Sequence, residues 1–67
     1  MFTVTDNEDN LTGERDNLKD ALLLAWCHTN HRNAMSDERM KFYVDHFERY
    51  GVVMMSYGFY IISVQAK

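Results

Sequence analysis

Cys27, His28 and His31 stand within five residues of one another, and Asp45 and His46 follow further along the chain. On a continuous helix Cys27 and His31, four apart, share a face, and a thiolate with an imidazole is a zinc-binding combination. Two ligands at that spacing make half a site. The second short-spaced ligand pair of a typical zinc site is missing, so His46 and a carboxylate would have to converge from elsewhere. Cys27 therefore reads as a small buried hydrophobe and the histidines as polar residues near a helix end, with no metal or cofactor expected. Catalysis finds no better frame. Cys27 and His28 are adjacent, so on a helix they point about 100° apart and do not form a nucleophile and base pair. Ser36, beside Asp37 and Glu38, is accounted for as a helix cap. There is no glycine-rich phosphate loop, and so short a chain has little room for a pocket of ~300 Å³. No enzyme is expected.

The elements that position these residues follow from the hydrophobic pattern. Residues 36–50 read as a helix. Ser36 is its N-cap, Met35 and Met40 have the spacing of a hydrophobic staple, and Gly51 is the left-handed stop. Met40, Tyr43, Val44 and Phe47 recur at steps of three and four and form its apolar stripe. Residues 13–30 read as a second helix, with Leu18, Ala21, Leu22, Ala25 and Trp26 on one face and Leu23 and Leu24 widening the stripe. The short connection between them makes the helices antiparallel neighbours. Residues 1–5 alternate apolar and hydroxyl side chains, as a half-buried strand does, and Asp6 to Asn10 read as a solvated connection. After Gly51 the period changes to that of a β-hairpin, with strands at 52–56 and 59–65 turning near Tyr57 and Gly58. Alternation puts Phe59, Ile61 and Ser63 on one face and Tyr60, Ile62 and Val64 on the other, so both faces of the sheet are expected to be covered. The expected fold is α+β, one domain over residues 1–67, order β-α-α-β-β, with an antiparallel two-helix hairpin on a small antiparallel sheet.

Composition bounds the function. In 67 residues there are nine aromatics, five methionines and 46% hydrophobic residues, which argues against disorder. A chain this short buries only about 60% of its unfolded surface, so small domains often lean on disulfides, metal or a second copy. The single cysteine excludes an internal disulfide. With no apolar run long enough to span a membrane and no basic stretch leading an apolar one, a cytoplasmic protein is expected. The net charge of -3 is uneven. Residues 1–20 hold Asp6, Glu8, Asp9, Glu14, Asp16 and Asp20 against Arg15 and Lys19, a balance of -4, and the remainder comes to +1.

Three functions compete. Met54, Met55, Tyr57, Phe59 and Tyr60 concentrate residue types enriched at interface cores, which points to a protein-binding module. Such a module docks its hairpin on a larger protein, with a homodimer as a further option. Its size fits the small inhibitors and regulators made by phages and mobile elements. The first rival is a winged-helix DNA-binding regulator, opposed by the acidic balance and by Arg39, Lys41 and Arg49 alternating with acids. The second is an acidic nucleic-acid mimic built on residues 6–20, for which helix-dipole and loop chemistry are the plainer account.

Overall fold

Both helices start where a side chain takes over a free backbone N–H. The computed structural model describes residues 1–8, 10–30 and 34–67. Its elements in chain order are β1 (Phe2–Asp6), β2 (Leu11–Arg15), α1 (Leu18–Asn30), α2 (Asp37–Tyr50), β3 (Val52–Tyr57) and β4 (Tyr60–Ala66). At α2 the Ser36 hydroxyl accepts from the Arg39 N–H at 3.1 Å. Gly51 closes the helix at φ 75°, donating to the Phe47 carbonyl at 2.7 Å. At α1 the cap is Asn17, whose side-chain oxygen accepts from the Asp20 N–H at 2.9 Å. Its amide donates to the Asp20 carboxylate at 3.0 Å, so cap and first turn hold each other reciprocally.

α1 therefore begins at Leu18, five residues later than the expected 13, and residues 11–15 form a strand instead. The observed α+β fold keeps the two helices on an antiparallel sheet and adds this strand after β1. The sheet order is β2-β1-β4-β3, with every neighbouring pair antiparallel. Phe2 pairs with Arg15 on one side and Ala66 on the other, and Val52 pairs with Gln65, so these residues share one end of the sheet. α1 departs from that end and α2 returns to it, which makes the helices antiparallel.

One face of the sheet and α1 make the core. Val4, Val64 and Val53 lie in one row across three strands, with Ile62 and Met55 in the next, and all five are buried together with Ala21, Leu22 and Ala25. From α2, Met40, Tyr43, Val44 and Phe47 pack on this cluster, as does Met35 before its cap. Phe47 meets Phe2 edge to face with ring centroids 5.6 Å apart, and Tyr43 meets Trp26 at 6.3 Å. By alternation the other face carries Thr3, Thr5, Ser56, Ser63 and Gln65 around Val52, Met54 and Ile61. That face is not the second apolar surface expected, because Phe59 belongs to the turn and leaves Ile61 as the only large apolar residue of β4 on it.

The connection from β1 to β2 is organised by Asp6. One of its carboxylate oxygens accepts from the Glu8 N–H at 2.9 Å and the Asn10 N–H at 3.0 Å, while the Asp6 N–H donates to the Asn10 carbonyl at 3.1 Å. This is the side-chain mimicry of a turn that Asp provides. The backbone N–H groups of Asn10 and Glu8 hold the Asp6 carboxyl below its ordinary range. A carboxyl depressed on folding stabilises the native state above its unfolded value, and that stability is lost as pH falls through its folded value. Asp6→Ala is accordingly expected to lower stability at neutral pH and to flatten the acid limb of the stability profile. Urea titrations at a series of pH values read both effects. An acid limb unchanged by the substitution would assign the sensitivity to another group.

Candidate interaction surface

Gly58, at φ 62°, takes the first central position of the β3–β4 turn, where the turns that suit strand twist require positive φ. Tyr57 and Tyr60 pair across it, which places Phe59 at the apex. The Phe59 ring is 98% exposed and that of Tyr57 70%. Exposure this complete for an aromatic is uncommon in a chain that has few apolar residues to spare for its core. The tip is also held in place. The Asn7 side-chain amide donates to the Phe59 carbonyl at 3.2 Å, tying the β1–β2 connection to the β3–β4 turn at the same end of the sheet.

The five residues expected to share a binding surface separate by strand parity. Met54 is 61% exposed on the outer sheet face, whereas Met55, at 4%, is in the core beside Ile62. The buried hydroxyl of Thr29, a residue of α1, also lies 4.0 Å from its sulfur. Tyr60 is half-buried and packs on the core. Met54, Tyr57 and Phe59 are the three of the five that are exposed.

Sequence reasoning did not single out a second apolar row, on α2. Phe42, His46 and Tyr50 follow one another at four-residue steps, with centroids 6.2 Å apart for Phe42 and His46 and 4.6 Å for His46 and Tyr50. Arg39 lies over the Phe42 ring at 5.9 Å. Phe42 and Tyr50 are both exposed. The spacing was legible, but the deeper stripe of Met40, Tyr43, Val44 and Phe47 hid it.

The residues that suggested metal chemistry are dispersed. Cys27 is exposed rather than buried, His46 is stacked in the aromatic row, and His31 lies outside the described residues. Among the described residues no three His, Cys, Asp or Glu side chains are grouped to hold a metal ion. The charges are engaged locally. Arg49 pairs with Asp45 at 3.1 Å on α2, and Lys67 with Glu14 at 3.1 Å across the sheet. Of the acids in residues 6–20, Asp6 orders a turn, Asp20 accepts from the Asn17 cap of α1 and Glu14 is paired. No helix among the described residues is long and apolar enough to cross a membrane. Comparison with protein-family models, curated proteins and solved structures finds no match.

Proposed function

We propose that the chain is a non-enzymatic protein-binding module that inserts the tip of its β3–β4 hairpin into a larger protein. In this reading it acts as a small inhibitor or regulator of the kind phages and mobile elements produce. The observation that carries this is Phe59, fully solvated at the apex of a turn whose position Asn7 fixes. A large apolar side chain on a backbone position held before binding costs less ordering when a pocket receives it. Tyr57 beside it adds area with a hydroxyl that stays solvated at a rim. DNA binding has less support, since Arg49 is already paired and Arg39 lies on an aromatic ring. Acidic mimicry is likewise weaker, since three of its carboxylates have partners within the chain.

The test is capture from the cells in which the chain occurs, run in parallel with tagged wild type and Phe59→Asp. Because Phe59 contributes nothing to the core, the variant is expected to melt like wild type, within about 0.5 kcal/mol. A protein retained in stoichiometric amount by wild type is expected to be lost from the variant. The same protein retained equally by both would move the binding surface away from the tip.

A further inference from the structure

We infer that the free edge of β3 and the outer flank of α2 together form a two-fold interface, and that its occupant is a second copy of this chain. Among the described residues β3 has β4 on one side and no strand on the other. Edge strands are ordinarily blunted by charge, proline or extreme shortness, because their unpaired N–H and C=O groups recruit other strands. β3 reads Val-Val-Met-Met-Ser-Tyr, six residues without a charge or a proline. The opposite edge, β2, has that protection. It ends in Glu14 and Arg15, and a bulge sets Thr12 out of register with β1. Antiparallel self-pairing of β3 opposes no like charges, whereas any partner strand rich in charge would find nothing to answer it.

The second half of the interface is the aromatic row. The cleft between α1 and α2 is lined by Lys19, Asp37, Met40, Lys41 and Val44. At about 100° per residue, Phe42, His46 and Tyr50 fall on the opposite flank of α2, away from α1. α1 lies over all four strands, while the α2 backbone comes close to β3 alone and reaches β1 through the Phe47 side chain, so that flank lies on the side of the sheet where β3 ends.

One axis serves both elements. Residues paired across strands share a face, so self-pairing must bring outer-face residues to outer-face residues, and Met54 opposite the second copy's Met54 does so. Val52 then opposes Ser56, and Val53 opposes Met55. Met54 lies about 7 Å along the strand from Val52, and His46 about 6 Å back along the helix from Tyr50. Since Gly51 joins the two elements, Met54 and His46 sit at the same height. The two-fold that pairs Met54 with itself therefore also brings His46 to its copy and Phe42 to the second copy's Tyr50. The layer spacings agree as well, because eight strands at about 4.8 Å are as wide as four helices at about 10 Å.

This inference is independent of the tip, since Phe59 and Tyr57 play no part in it. The test uses the full chain with Cys27→Ser and a single new cysteine at 54. A residue on the axis of an antiparallel ladder has its Cα about 5 Å from its copy, within disulfide range, whereas position 56 is displaced by two residues on each strand. Under mild oxidation Met54→Cys is expected to give covalent dimer nearly quantitatively, and Ser56→Cys little. Sedimentation equilibrium of the unmodified protein is expected to show a dimer that Phe42→Lys dissociates with its circular dichroism unchanged. A monomer at every attainable concentration would overturn the inference. So would equal cross-linking at 54 and 56, or a dimer indifferent to Phe42→Lys.

Discussion

Leu22→Ala is expected to leave most of the protein unfolded at room temperature. Leu22 is wholly buried at the centre of α1, among Val4, Val53, Ile62 and Val64 from three strands. Removing a leucine from such a place costs about 3–5 kcal/mol, from lost transfer energy and from the cavity that remains. A single hydrophobic core in a chain this short supplies only about 3–5 kcal/mol in total, no more than that loss. The neighbours also limit relaxation. Ala21 and Ala25 on the same helix are too small to fill the space, and the strand residues are fixed by their ladders. Urea denaturation followed by circular dichroism measures the loss. A decrease below about 1 kcal/mol would mean that α1 contributes far less to the core than its burial states.

Gly13→Val is expected to be the most disruptive single change on β2. Gly13 pairs with Val4 on the inner face, and a Cβ there would stand 2.6 Å from the Leu24 Cδ2. The absence of a side chain is what lets α1 lie close over this strand. The displaced atom is the end of a flexible side chain, so alanine should be accommodated by a rotation of Leu24, while a branched side chain drives it from its site. Overpacking of this kind costs about 1–3 kcal/mol. Leu24→Ala, destabilising alone, is expected to recover part of the Gly13→Val loss, and a double-mutant cycle reads the coupling. Strict additivity would place the effect of valine elsewhere, for example in the β1–β2 ladder.

α2 was legible almost residue by residue, because cap, staple position, stripe and terminator are local signals that nothing distant contradicts. The β3–β4 hairpin was legible for the same reason, with Gly58 supplying the backbone freedom. β2 was not. Leu11-Thr-Gly-Glu-Arg15 contains one large apolar residue, and what makes it a strand is pairing with β1, arranged by Asp6 and accommodated under Leu24 by Gly13. The Asn17 and Asp20 spacing does announce where α1 starts, inside the 13–30 stretch that reads as helix. For the candidate surface, residue type was informative and orientation was not. Met54 and Met55 are chemically the same, and only the register of β3 against Val64 and Ile62 sends one outward and the other into the core.

The strand order has a kinetic consequence. Each outer pair of strands is joined by a short connection, so β1–β2 and β3–β4 close over small loops and are fast to form. The central seam is different. It joins Thr3 to Gln65, nearly the full length of the chain, and Val4 meets Val64 only there. Both strands of the hydrophobic centre must wait for the most distant contact in the molecule, which is the slow step in folds dominated by non-local pairing. During synthesis the first hairpin and both helices emerge with their apolar faces unpaired until β4 follows. β3 itself emerges only just ahead of β4, so the sheet closes when the last of these strands reaches β1.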